Sequence, residues 1–291
     1  VHVDQHCAAF APSNPSIVYA GNDGGMYKSL NAGKTWININ NDLQVTQFYA
    51  LGVDHLQDNV NYGGTQDNGT LGKINEGFWE RIGGGDGFRT FVQPGNSNIV
   101  YGEMYYGNMW YVNLETGRGY NFTNGIPSND QGAWCAPFVP DHSNPGVLYH
   151  GRHAVYGNYS GGVWIRLTDY FENTFSAIGV GRANYEILYA GTADGTMIVS
   201  TNVGDEWTEV TKNGLINRFM TDIETSYQDD HLAYVTYSGF GNPHIFMTTD
   251  AGQSWSDISK NLPDVPVSAI AINPTNEDNL YVATDIGVFT T

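Results

Sequence analysis

Three groups of residues in this chain have the types and spacing to do chemistry. The first is His2-Val-Asp4-Gln-His6 near the start of the sequence. In an extended segment alternate side chains share a face, so His2, Asp4 and His6 would present three ligands on one side. With Asp23 or Asp86 nearby, such a set would hold a divalent cation. Ca²⁺ fits if oxygens dominate, and a transition metal fits if both imidazoles join. The opposing reading is a set of polar side chains hydrogen-bonded to one another.

The second group is Asp23, Asp67 and Asp86, each followed by Gly or by Asn-Gly. Asp-Gly and Asp-Asn-Gly are ordinary turn formers. Three converging carboxylates would also serve as the acid and base that cleave a glycosidic bond. That work needs two carboxyl groups about 5–9.5 Å apart in unequal surroundings. The third group is aromatic: Tyr105, Tyr106 and Trp134, with His153 and Tyr156. Aromatic rings stack well on the CH faces of sugars, and they also fill the core between packed sheets. Adjacent Tyr105 and Tyr106 point opposite ways in an extended chain, so one of them is expected at the surface. Arg152, His153 and Tyr156 together would also suit a polysaccharide lyase.

Composition narrows the partners. The 291 residues hold 30 acidic and 12 basic side chains, a formal net charge of −18. No cluster of Lys and Arg exists to grip phosphate, which argues against nucleic acid and anionic membranes. Neutral glycans or cationic partners are expected instead, because an acidic surface repels polyanions. The longest apolar runs are short, as at Val267–Ile272, so no membrane-spanning helix and no membrane insertion are expected. Cys7 and Cys135 are too few for a disulfide framework and are expected as unpaired, buried residues on separate inner strands. Sequons stand at Asn68, Asn121 and Asn158.

The elements that must position these residues repeat along the chain. A short apolar segment ends in Tyr at positions 19, 62, 101, 149, 189, 234 and 281, in steps of 43, 39, 48, 40, 45 and 47. A period of about 40–50 residues with four short strands per unit is the signature of a β-propeller. Each unit opens with an inner strand: Cys7–Phe10, Phe48–Val53, Arg89–Val92, Trp134–Val139, Ser176–Val180, Thr221–Thr225 and Ser268–Ile272. The Tyr strand follows, then a Gly-rich loop, a third strand, a turn and a fourth strand. The expected fold is all-β: one seven-bladed propeller of four-stranded blades. The blades fall at 1–43, 44–84, 85–126, 127–170, 171–214, 215–262 and 263–291. The last blade ends in its third strand, so a longer chain with additional domains is expected.

Three turns carry a further pattern: Ser29-Leu-Asn31-Ala-Gly33-Lys-Thr35-Trp36, Ser200-Thr-Asn202-Val-Gly204-Asp-Glu206-Trp207 and Thr248-Thr-Asp250-Ala-Gly252-Gln-Ser254-Trp255. These resemble the Asp-box, or BNR repeat, of pattern Ser/Thr-x-Asp-x-Gly-x-Thr-Trp, although two have Asn for Asp and one has Glu for Thr. Weaker remnants stand at Asn75-Glu-Gly77-Phe-Trp79 and Asn113-Leu-Glu-Thr-Gly117. Further stretches, such as Asn22-Asp-Gly-Gly25 and Gln66-Asp-Asn-Gly69, look like those of secreted bacterial sortilin-like and glycosyl-hydrolase BNR-repeat proteins. The resemblance implies a secreted or cell-surface protein and a structural role for the box itself. Sialidases of this family use three arginines and an Arg-Ile-Pro motif. Here there are seven Arg, none in the first eighty residues, and no such motif. The family's photosystem assembly factor relies on a basic patch that this chain lacks.

The functions expected from residues and resemblance are three. The first is a module that binds polysaccharide or protein through the face around the central channel, where Tyr105, Tyr106, Trp134, His153 and Tyr156 would contact ligand. The second is a glycoside-cleaving enzyme, a hydrolase before a lyase, using Asp23, Asp67 and Asp86. The third is a scaffold or adhesin.

Overall fold

Each recurring Tyr segment becomes the second strand of an antiparallel sheet, and seven such sheets follow one another along the chain. The computed structural model describes residues 1–291 apart from 42, 44, 45, 75–77, 160 and 161. The weak remnant at Asn75-Glu-Gly77 and Ser160 of the third sequon therefore lie outside the described residues. The first strands of the sheets are Gln5–Ala11, Phe48–Val53, Gly87–Gln93, Phe138–Pro140, Phe175–Val180, Met220–Thr225 and Val267–Ile272. Six sheets have four strands in sequence order and the seventh has three. This is the fold class of a seven-bladed β-propeller with a short last sheet. The only helical turn among the described residues is a 3₁₀ turn at Tyr105–Gly107, and no described helix is long and apolar enough to cross a membrane.

The chain forms two compact units, Val1–Phe91 and Val92–Thr291, whose boundary falls inside the strand Gly87–Gln93. In the first unit, Val18, Ala20, Val60, Tyr62 and Phe88 are buried. Gly64 lies so close to the neighbouring backbone that a Cβ there would sit 2.0 Å from the Phe88 carbonyl oxygen. The second unit holds three apolar clusters among the described residues. One gathers Tyr189, Met197, Val199, Met220, Val235, Tyr237 and Trp255, with the Trp255 ring edge-on to Tyr189 at 6.1 Å. The recurring tyrosine is buried at 62, 101, 149, 189 and 234 but is 45% exposed at 281.

The three Ser/Thr-x-Asn/Asp-x-Gly turns share one hydrogen-bond pattern. Ser29 Oγ accepts from Gly33 N at 2.8 Å, and Asn31 Oδ1 accepts from Thr35 N at 2.8 Å. The same pair of bonds recurs at Ser200/Asn202 (2.9 and 2.9 Å) and at Thr248/Asp250 (2.9 and 2.8 Å). In each turn the residue before the Gly and the Gly itself are left-handed: Ala32 and Gly33, Val203 and Gly204, Ala251 and Gly252. A β-branched residue at positive φ is unusual, so at Val203 the bonds of the turn override its preference. At Asn113-Leu-Glu-Thr-Gly117 only a simpler turn remains, in which Thr116 N donates to Asn113 Oδ1 at 3.0 Å.

Two expectations need correction. Neither Cys7 nor Cys135 is in a disulfide, but Cys7 is exposed on its strand, and Cys135 is half-buried in a loop rather than on an inner strand. The inner strand expected at Trp134–Val139 is confined to Phe138–Pro140. The cause is that residues 134–136 bond elsewhere. Trp134 O accepts from Tyr106 N at 3.3 Å, Ala136 N donates to Glu103 Oε1 at 2.8 Å, and Pro137 has no N–H to offer a ladder.

Candidate functional site

Each unit brings together one of the groups singled out in the sequence. In the first, four loops supply it: the segment entering Gln5–Ala11, the turns after Asn14–Asn22 and Asn61–Thr65, and the residues entering Gly87–Gln93. Asp67 occupies a left-handed turn position with φ 61°, a conformation Asp tolerates better than most residues. Its N–H donates to Asp86 Oδ1 at 2.7 Å, and its carbonyl lies 2.9 Å from His2 Nε2. Asn68 Nδ2 donates to the Asp23 carbonyl at 3.2 Å. His6 Nε2 bonds the Asp23 carboxylate, and that bond, followed by the charge of Asp23, raises the imidazole pKa. The Asp67 carboxyl is also raised, first by burial and then by the charges of Asp23 and Asp86. Asn22, Asp23, Gln47, Gln66, Asp67 and Asn68 line a pocket of about 250 Å³ here.

The structure therefore brings His2, Asp4, His6, Asp23, Asp67 and Asp86 into one linked cluster. One carboxylate oxygen of Asp86 is taken by the turn of Asp67, which is the turn-forming role. One ligand atom from each of His2, Asp4 and Asp23 lies within 4.8 Å of the others, whereas His6 reaches the group through its bond to Asp23.

In the second unit the 3₁₀ turn at Tyr105–Gly107 carries the aromatic group. Tyr106 and Gly107 are both left-handed (φ 64° and 75°). Trp134 stacks on Tyr105 with centroids 5.8 Å apart and 15° between planes, and Tyr106 meets it edge-on at 5.2 Å. Tyr105, Tyr106 and Trp134 are 39%, 43% and 44% exposed, so this aromatic surface faces solvent.

A buried polar network supports that surface. Arg152 is 5% exposed. Its Nη2 donates to the Gly107 carbonyl at 2.6 Å, its Nη1 to the Asp130 carbonyl at 2.5 Å and its Nε to His150 Nε2 at 3.2 Å. His150 Nδ1 lies 3.0 Å from the Pro137 carbonyl, so Nδ1 carries the proton and Nε2 accepts. Burial, reinforced by the Arg152 charge, pulls the His150 pKa down to about 3. Burial also lowers Arg152. Asp130, itself 5% exposed, accepts from His153 N at 3.2 Å, faces His153 Nδ1 at 3.1 Å and accepts from Tyr156 OH at 2.5 Å. Burial and then that bond raise the Tyr156 hydroxyl.

Of the expected ligand-contacting set, Tyr105, Tyr106 and Trp134 come together at the surface. His153 is partly exposed and lines a pocket of about 310 Å³ with Asn129, Asp130, Tyr170 and Phe171. Tyr156 is fully buried and holds Asp130 from below. Arg152 is buried and gives an N–H from each of its three nitrogens to the protein, which sets it beneath the surface as a support rather than at it. Sequence reasoning did not pick out the roles of Asp130, His150 and Glu103. The available signal was His150-Gly-Arg152-His153, a basic run in an acidic chain.

Fold and site together define a seven-bladed propeller with one acidic, histidine-bearing cluster and one exposed aromatic surface. Comparison with known proteins places it more closely. No family model matches the chain. It is similar to a xyloglucanase of Hypocrea jecorina (strain QM6a), with 23% identity over 266 residues that span 81% of this chain and 29% of that protein. Among solved structures it is similar to the GH74 xyloglucanase of Xanthomonas campestris, with TM-score 0.67, 14% identity, and coverage of 97% of this chain and 51% of that one. It also resembles YCF48 from Cyanidioschyzon merolae, with TM-score 0.60, 13% identity and coverage of 99% and 94%. The chain thus spans less than a third of the fungal relative and about half of the bacterial one. The likenesses between structures, at these identities, are of fold.

Proposed function

We propose that this chain is a carbohydrate-binding propeller of a secreted or cell-surface protein, and that Tyr105, Tyr106 and Trp134 form its sugar-stacking surface. The observation that carries the reading is the exposed Tyr105–Trp134 stack, held by backbone bonds and by the buried Arg152 beneath Gly107. A pre-ordered aromatic surface binds a pyranose without first paying to immobilise its own side chains. Three apolar rings so exposed would otherwise be a poor use of core residues. The similarity to xyloglucanases supports a neutral polysaccharide, and so does the net charge of −18. The experiment is affinity electrophoresis of the chain in gels containing xyloglucan or other neutral β-glucans. Retardation is expected, and Trp134→Ala is expected to abolish it with the melting temperature little changed. Equal mobility with and without every polymer would refute the reading and leave a protein partner or a scaffold.

A second reading has its own observation. Burial and the charges of Asp23 and Asp86 shift the Asp67 carboxyl upward, the direction in which a general acid is tuned. Glycoside cleavage by this cluster predicts new oligosaccharides by mass spectrometry, lost on Asp67→Asn. Binding without products, or turnover unchanged by that substitution, removes Asp67 from such a role.

A further inference from the structure

The cluster in the first unit gathers an imidazole nitrogen and two carboxylates at its centre. His2 Nε2 lies 2.9 Å from the Asp67 carbonyl oxygen. A carbonyl can only accept, so Nε2 carries the imidazole proton and Nδ1 is left with a lone pair. Nδ1 accepts from Asp4 N at 3.2 Å, which fixes the direction of that lone pair. It then faces the Asp4 carboxylate, with Oδ2 at 3.7 Å, while a carboxylate oxygen of Asp23 lies within 4.8 Å of both. Three acceptor groups thus gather within 4.8 Å of one another, and the 3.2 Å contact from Asp4 N–H is the one an ion on Nδ1 would displace.

We propose that His2 Nδ1, Asp4 and Asp23 bind a divalent transition-metal ion, Zn²⁺ or an ion of like preference. Ligand atoms held 2.0–2.2 Å from such an ion lie about 3–3.5 Å from one another. A closure of about an ångström, in a loop segment with Asp4 60% exposed, therefore completes the site. The imidazole favours a transition metal over Ca²⁺, which takes oxygen ligands alone. The supporting contacts have the form that metal sites use. The ligating ring gives its other N–H to the Asp67 carbonyl, and His6, here a positioning residue, bonds the Asp23 carboxylate. Three protein ligands leave coordination positions open to water or to an exogenous oxygen donor. The site lies in the first unit and owes nothing to the aromatic surface of the second, so either can fail without the other. A separate convergence at Asp229, Asp230 and His231 serves as the internal control, since it is a run of consecutive residues with Asp229 and His231 exposed.

The test is isothermal titration of the chelator-stripped full chain with Zn²⁺, alongside Co²⁺ absorption spectra. One equivalent of Zn²⁺ is expected to bind. His2→Ala and Asp4→Asn are each expected to weaken it at least tenfold, and His231→Ala to leave it unchanged. Co²⁺ is expected to show visible bands that shift in His2→Ala. No binding would overturn the proposal, as would binding lost only in His231→Ala. Ca²⁺ binding that survives His2→Ala but not Asp23→Asn, with no Zn²⁺ preference, would also overturn it, because it would mark an oxygen-only site. Circular dichroism of each variant distinguishes loss of the site from loss of the fold.

Discussion

Acidification should weaken this protein through one ring. His150 is fully buried and satisfied only as the neutral tautomer, with Nδ1–H donating to Pro137 O and Nε2 accepting from Arg152 Nε. Protonation would put an N–H against the Arg152 N–H and add a second buried positive charge. The folded-state pKa is therefore about 3 against 6.5 for the free side chain. A depressed histidine binds fewer protons folded than unfolded, so stability is lost as pH falls below 6.5. Each pH step costs about 1.4 kcal/mol until the folded-state value is reached, which makes the loss at pH 5.0 about 2 kcal/mol. The assay is urea unfolding at pH 7.5 and 5.0 for the natural chain and for His150→Gln, which can keep both bonds without titrating. The variant is expected to lose about 2 kcal/mol less between the two pH values. Equal losses would refute the reasoning. So would a His150 imidazole that titrates near 6 in the folded protein by nuclear magnetic resonance, a test that needs no variant.

Glu224 should act with the opposite sign. Burial pushes its pKa up to about 7, even with Arg182 Nη1 at 2.7 Å pulling it back. Its contribution is fully present below pH 4.5 and lost as pH rises towards 7, so Glu224→Gln should remove that decline in urea unfolding between pH 5 and 8. Gly64→Ala should cost about 3 kcal/mol or prevent folding, because the new Cβ would meet backbone rather than a movable side chain. A melting temperature within a degree of the natural chain would contradict that packing. Asp250→Ala should cost about 1–2 kcal/mol through lost bonds from Thr248 and Ser254. Asp250→Asn should cost little, since Asn31 and Asn202 already fill the equivalent place; thermal melts of the two variants side by side check this.

Regular repetition was the most legible part of the sequence. The Tyr period located all seven sheets, because a strand that must bury one face carries its alternation locally. The expected bounds Phe48–Val53 match the structure outright. The inner strand at Trp134 was misread for a non-local reason: its backbone bonds are made to Tyr106 and Glu103, some thirty residues away. Cys7 was misjudged because a small apolar residue on a strand says nothing about which neighbours cover it. Spacing in the sequence marked His2, Asp4 and His6 as a group, but only the fold shows Asp23 taking the place beside Asp4 and Asp67 orienting the ring. Asp130 resembled any loop aspartate until the bonds from His153 and Tyr156 converged on it.

The turns that join third to fourth strands have an evolutionary consequence. Those at Ser29, Ser200 and Thr248 close on their own side chains, with both key acceptors supplied from within a few residues. Such a turn can be duplicated or moved with its sheet and still form in its new place. At the opposite ends of the same sheets, loop side chains reach across to other sheets, as His2 does to Asp67 and Arg152 to Gly107. Change is therefore inexpensive at one end and consequential at the other. New chemistry can be sampled in the loops around His2 and Tyr106 while the self-contained turns keep each sheet in register.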